Sequence, residues 1–185
     1  HAWHFWYALI SVLKCYAAAW SLRASPLNWA LCFRRETVSM SIELRSIDKT
    51  NFYEICQLQV AQNQLNHVES NAISLAEANF MSFPWFKGIY SDNNPIGFVL
   101  VNADTVSGKF ELWRFMLDKS QQSKGYGRIA IDLLKSALVN EFGISALYTS
   151  VVIGSGSPQG FYESCGFVST GHLVEGREIE LRLPL

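Results

Sequence analysis

The run Gln122-Ser-Lys-Gly-Tyr-Gly-Arg128 sets two glycines and two cations at the point where an apolar stretch ends and a long helical pattern begins. Glycine lets the backbone approach a bound group closely, and the free N–H groups and positive dipole of a helix start favour a phosphate. Pyrophosphate binding is the chemistry such a segment suits. Taken alone, a glycine-rich turn that only links strand to helix explains the letters equally well. The spacing excludes the usual nucleotide loops. The third glycine of a dinucleotide fingerprint is missing, the preceding unit is not βαβ, and no Gly-Lys-Ser/Thr follows at P-loop distance. Metal and disulfide chemistry find little support. Cys15, Cys32, Cys56 and Cys165 are scattered, without a CxxC pair or a histidine at ligand spacing, and read as small buried hydrophobes. No metal site is expected.

The elements that must position this loop can be read from periodicity. Ser41 to Ile47 alternates apolar and polar residues, as a half-buried strand does. Asp48 can cap a helix carrying Phe52, Ile55, Cys56, Gln59 and Val60, and a second helix is predicted from Ser74 to Phe80. Trp85 to Tyr90 and Ile96 to Asn102 flank the turn chemistry of Ser-Asp-Asn-Asn-Pro, which predicts a hairpin, and Phe110 to Leu117 supplies a third strand. After Gly127, the stripe Ile129, Ile131, Leu133, Leu134, Ala137 and Leu138 predicts the longest helix, stopped by Gly143. The rest reads as strand Ala146 to Ile153, short helix Pro158 to Ser164, and strands Phe167 to Leu173 and Glu178 to Leu183. An antiparallel front half and a βαβ-like back half predict an α+β fold around one central mixed sheet.

At 185 residues the chain suits a single core, and 15 basic against 16 acidic residues leave no basic footprint for nucleic acid. Composition breaks near Met40. The first 39 residues hold four of the six tryptophans and one acidic residue, Glu36. Their apolar run, Ala8 to Leu22, is interrupted by Lys14, and its uncharged parts are shorter than the roughly 20 residues a spanning helix needs. It also lacks the basic start of a secretory signal. Residues 1–39 are therefore read as a leader, either non-native or translated from upstream of the true start. An amphipathic membrane-surface segment flanked by Arg34 and Arg35 is the alternative. The working domain is expected at 40–185, without a membrane partner, in the cytoplasm.

Two motifs carry a family resemblance. Phe115-Met-Leu-Asp followed by Gln122-x-x-Gly125-x-Gly127 resembles the acetyl-CoA motif Q/R-x-x-G-x-G/A of the GNAT N-acetyltransferases. Further on, after one helix and one strand, Gly154-Ser-Gly-Ser-Pro-Gln-Gly-Phe-Tyr-Glu-Ser-Cys-Gly-Phe167 resembles the family's FYxxxGF segment. The resemblance spans about Ile42 to Leu185. It implies the GNAT fold, a mostly antiparallel sheet of six or seven strands with about four helices. It also implies acetyl-CoA as cosubstrate, held by the backbone of Phe115, Met116 and Leu117 along its pantetheine arm. The pyrophosphate would lie on the N–H groups of Gln122, Ser123, Lys124, Gly125, Tyr126, Gly127 and Arg128. Ser155 or Ser157 would cap the arm, with Ser157 standing where many relatives carry asparagine. Tyr162 matches the family's proton donor to the departing thiolate, a role that a phenol with a pKa near 10 can fill. Homodimers are common in the family.

An amine must lose a proton before it attacks a thioester. Glu111 is the candidate base, with a solvent-facing strand carboxylate as the plain alternative. Direct attack needs no acyl-enzyme and leaves Cys165 without a catalytic part. The segment Gln62 to Ala78, Trp113-Arg-Phe-Met116 and the tail Gly171 to Leu185 are similar to bacterial polyamine acetyltransferases. The resemblance thus implies a small primary amine such as spermidine or spermine, with Glu69, Glu77 and Glu111 able to favour a polycation. An aminoglycoside or protein N-terminus as acceptor, or a non-catalytic acyl-CoA-binding module, would share every cofactor residue. His67 reads as a polar surface or satisfied histidine rather than a catalytic group.

Overall fold

A computed structural model describes residues 41–65 and 67–185, so the leader reading lies outside the described residues. The described part is an α+β structure whose strands form one seven-stranded sheet. The elements are β1 (Ile42–Arg45), α1 (Phe52–Gln57), a 3-10 turn (Gln62–Gln64), α2 (Asn71–Ala78), β2 (Pro84–Ser91), β3 (Asn94–Ala103), β4 (Phe110–Leu117), α3 (Tyr126–Phe142), β5 (Ala146–Val152), α4 (Gln159–Ser164), β6 (Val168–Val174) and β7 (Glu178–Pro184). The sheet order is β1-β2-β3-β4-β5-β7-β6, in which β4 and β5 alone run parallel.

Two departures from expectation have local causes. Helix α1 stops at Gln57 and α2 begins at Asn71, three residues before the predicted Ser74, because the Ser70 hydroxyl accepts the Ile73 N–H and caps it. The β2–β3 connection is tighter than predicted. Asp92 and Asn93 both adopt positive φ (48° and 69°), the conformation of a two-residue hairpin turn, so Ser91 and Asn94 join the strands.

Helix α3 buries Tyr126, Ala130, Ile131, Leu134 and Leu138 along one stripe and ends at Gly143, whose left-handed φ of 65° lets its N–H reach the Val139 carbonyl. With α4 it covers one face of the sheet, against Phe110, Leu112, Leu147, Val151 and Leu181. The face toward α1 and α2 is built around Ile55, Tyr90, Phe98, Leu100 and Met116. Phe115 packs with the first group and Met116 with the second, as strand alternation requires.

Alternation along β4 is reset once. Leu100 stands opposite Arg114 and Val101 opposite Leu112, which leaves Trp113 as the extra residue of a β-bulge. Without it, Leu112 and Phe115 would face opposite sides of the sheet.

Candidate active site

Strands β4 and β5 share a single register pair, Glu111 with Tyr148. Beyond it the two strands part, and the Thr149 hydroxyl spans the opening by donating to the Leu112 carbonyl at 3.1 Å. The parting leaves the backbone of Phe115 to Leu117 without a paired strand on the β5 side, where the Gln122 amide reaches the Leu117 carbonyl, and opens a cleft of about 930 Å³. The glycine loop, α4, β4 from Glu111 to Leu117 and β5 from Tyr148 to Val152 all contribute to its walls.

The loop sits at the N-terminus of α3. Gly125 is the N-cap, in left-handed conformation (φ 84°), with no side-chain cap and no acidic residue in the first turn. A Cβ added at Gly125 meets nothing within 4 Å, whereas one at Gly127 would come to 3.0 Å from the Phe161 ring. The first glycine therefore keeps a cradle open and supplies a conformation; the second admits α4. Open helix N–H groups facing free space suit an anionic phosphate. Gln122, Ser123, Gly125, Gly127 and Arg128 line the cleft, whereas Lys124 lies outside the lining and bonds Gln121 at 2.9 Å. The Tyr126 side chain is buried beside Ile89, Ile96 and Leu117, leaving its backbone as the part that can face a ligand. Arg128 donates to the Ser164 carbonyl, linking the loop to α4. The Gln122 amide donates to Leu117 O (2.9 Å) and to Gln64 Oε1 (2.7 Å), so it clasps the loop to the segment between α1 and α2.

Tyr162 projects from α4 into the same cleft and is only 7% exposed. Burial pushes its hydroxyl far above the ordinary phenol range, while the nearby Thr149 hydroxyl pulls the other way. Such a group stays protonated at any physiological pH, as a proton donor must before the step in which it acts. Phe161 positions it, with its ring stacked on Phe115 at 5.9 Å and edge-on to Tyr162 at 5.3 Å. Ser157 lines the cleft, but its hydroxyl accepts the Gln159 N–H at 3.3 Å; Ser155 is exposed and outside the lining.

Glu111 lines the cleft where β4 and β5 part, in contact with Lys109 at 2.6 Å. The lysine also holds Glu180 at 3.0 Å and lies 5.3 Å from the Tyr148 ring centre. Burial works against the Lys109 charge, but its bonds to Glu111 and Glu180 win and raise its pKa. Glu175, Glu178 and Glu180 join Glu111 in the lining. Two carboxylates expected there are elsewhere: Glu77 is paired with Arg114 at 3.0 Å, and neither Glu77 nor Glu69 reaches the cleft. His67, read as a polar surface or satisfied histidine, lines the cleft, and a Cβ at Gly156 would stand 3.2 Å from its Nε2. Thr149, Glu178 and Glu180 also escaped sequence reasoning. For the glutamates, alternation with Ile179 and Leu181 was the available signal; a threonine in a buried strand gives none.

An acetyltransferase (GNAT) family model matches residues 42–167. This chain belongs to the GNAT acetyltransferase family. It is an N-acetyltransferase by family, and its described residues form the seven-stranded mixed sheet and four helices of the GNAT fold. The spermine/spermidine N(1)-acetyltransferase of Bacillus subtilis (strain 168) is 27% identical over 140 residues, covering 72% of this chain and 92% of the relative. A probable spermine N(1)-acetyltransferase of Bacillus subtilis subsp. natto is 28% identical over the same length. The spermidine N-acetyltransferase of Vibrio cholerae, solved with CoA and spermine, superposes with a TM-score of 0.61 at 21% identity, over 77% of this chain and 95% of that one. The ribosomal-protein-S18-alanine N-acetyltransferase of Escherichia coli gives 0.58 at 20% identity, over 78% and 94%. Neighbours with such different acceptors share the fold, so fold similarity does not choose the amine.

Proposed function

We propose that this GNAT chain transfers the acetyl group of acetyl-CoA to a primary amine of a small polycation, spermidine or spermine, by direct attack. The observation that carries the reading is the parting of β4 and β5, which brings the open helix N-terminus, Tyr162 and Glu111 onto one cleft. Bound acetyl-CoA supplies an activated acyl thioester. The N–H groups of the 122–128 loop hold its pyrophosphate, and the free edge of Phe115 to Leu117 pairs with its arm. Glu111 takes the proton that the ammonium must lose, directly or through water, and Tyr162 returns a proton to the leaving sulfur. The balance is one N–C bond formed, one C–S bond broken and two protons lost by the nitrogen: one passes through Glu111 to solvent, and the other makes good the proton that Tyr162 delivers to sulfur.

Support for a polycation comes from Glu111, Glu175, Glu178 and Glu180 in the lining, and from the names of the two Bacillus relatives. Among the described residues no helix is long and apolar enough to cross a membrane. Thiol release from acetyl-CoA, measured against spermidine, spermine, short diamines, aminoglycosides and peptides, tests the reading. Turnover is expected to be fastest with the polyamines. Preference for a peptide N-terminus would move the acceptor class, and CoA binding without turnover of any amine would sink the enzyme reading.

A further inference from the structure

Trp113 is left unused by this chemistry, yet its placement is unusual. The bulge that resets β4 makes it the one residue of the strand's central stretch without a partner on β3. It is 47% exposed, although an indole is the largest apolar surface a residue can bury. Its neighbours Phe110 and Leu112 point into the α3–α4 core, so Trp113 stands, like Glu111, outside that packing and in the cleft lining. It also lines a second depression, of about 260 Å³, formed by Met81, Ser82 and Phe83 with Asn102 and Asp104. The indole is thus the ridge between the cleft and this depression. A cation already lies by its ring, since the Arg114 guanidinium carbon is 5.6 Å from the ring centre. Beyond the ridge, the Asp104 carboxylate accepts the Val106 and Ser107 N–H groups and the Ser107 hydroxyl (2.6 to 3.1 Å). These bonds, the Ser107 hydroxyl first, hold it below the ordinary aspartate range and keep it anionic.

We propose that a long acceptor amine leaves the cleft across the Trp113 ring and sets its distal ammonium in the depression beside Asp104 and Asn102. The inference rests on the amine-acetylating reading and adds to it a subsite for length and charge. An extended chain is required: a short monoamine, with its one nitrogen at the thioester, has nothing to place beyond Trp113. The ring takes the alkyl chain on its apolar face and an ammonium by cation–π attraction, and the carboxylate completes the charge.

The test compares spermine with n-butylamine in the full chain, by steady-state acetylation and by calorimetric binding. Trp113→Ala is expected to lower the spermine over n-butylamine preference, as a ratio of kcat/KM values, by about tenfold, and Trp113→Phe by less. Asp104→Asn keeps the turn's acceptor oxygen and should lower the same ratio by about three- to tenfold, through KM for spermine. Equal losses for both amines, or no loss in any of the three variants, overturn the subsite. If Trp113→Ala does not fold, as read by its melting transition, Trp113→Phe and Asp104→Asn decide. The two readings fail separately. Spermine binding that weakens in Asp104→Asn without any turnover by the parent chain would uphold the subsite and remove the enzyme; turnover with an unchanged spermine preference would do the reverse.

Discussion

Glu111 on β4 faces Tyr148 on β5, and this is the one register pair that the two parallel strands make. The pair fixes where the sheet stops being continuous. One residue later the ladder is replaced by a side chain, the Thr149 hydroxyl on the Leu112 carbonyl, and the backbone beyond is open to a ligand. The candidate base therefore stands at the vertex of the opening and the candidate acid, Tyr162, lies against its wall. A parallel pair with so short a ladder is unfavourable on its own. Here α3 and α4 hold both strands by burying Leu112, Leu147 and Val151 in one cluster, which lets the gap persist as an active-site opening.

Glu111→Gln keeps the shape of the vertex and removes its basicity. At pH 7 we expect kcat to fall by about 10²-fold, with CoA affinity unchanged by calorimetry, as for loss of a general base. Part of the loss should recover as pH rises and free amine becomes available. A variant with a parental rate and pH profile would return Glu111 to a purely structural role beside Lys109.

Tyr162→Phe removes only a hydroxyl from a packed ring, so the edge contacts with Phe161 and Phe167 survive and the melting temperature should move little. The thiol-release rate is expected to drop by about 10²-fold, the usual scale for losing a positioned acid. Because burial lifts the phenol far above its ordinary range, the parent enzyme should show no falling limb from this group below about pH 10. A falling limb below that pH that disappears in Tyr162→Phe would contradict the raised pKa, and an unchanged thiol-release rate in the variant would remove the donor role.

Helix α3 and the strands on either side of it were legible because their signals are local: a stripe at helical spacing, a glycine stop, and apolar runs between turns. The same holds for the candidate phosphate loop, which occupies seven consecutive residues. The irregular stretch between α1 and α2 was harder. Its Ser70 cap looks like any polar residue until the helix is seen, and Gln64 and His67 reach the cleft only through contacts with Gln122 and Gly156, far along the chain. The Trp113 bulge is hidden for a related reason, since Phe-Glu-Leu-Trp-Arg-Phe-Met-Leu reads as one strand and the extra residue is defined only by its register against β3. The acidic lining is equally non-local, drawing Glu111 from β4 and Glu178 and Glu180 from β7.

Gly125 separates conformation from space. Gly125→Ala adds a Cβ that meets no atom, but at φ 84° it should cost about 1–2 kcal/mol of stability through left-handed strain alone. Gly125→Glu adds to that strain a carboxylate in the cradle, and CoA binding should vanish. Thermal shift with and without CoA distinguishes the two: the alanine variant melts lower but still gains stability from CoA, and the glutamate variant gains none. Equal CoA stabilisation in both would mean that the loop does not hold the phosphates.

Asp118 ties the loop to the segment after α1. Its carboxylate accepts the Gln59 N–H at 3.0 Å and the Ser120 N–H and hydroxyl at 2.9 and 2.6 Å, while Lys119 N–H returns a bond to the Gln59 carbonyl at 2.7 Å. Burial pushes the carboxyl upward, but these bonds outweigh it and leave the pKa below the ordinary value. A carboxyl depressed in the folded state stabilises the fold above its unfolded pKa and ceases to do so as pH falls through the folded one. The contribution should thus be complete at pH 7 and erode below about pH 4, the ordinary aspartate range. Asp118→Asn, which lacks the charge at every pH, should melt below the parent at pH 7, with the gap closing as both are taken to pH 3. A gap that stays constant between the two would assign the clasp to shape rather than to charge, and with it the anchoring of Gln64 and His67 at the mouth of the cleft.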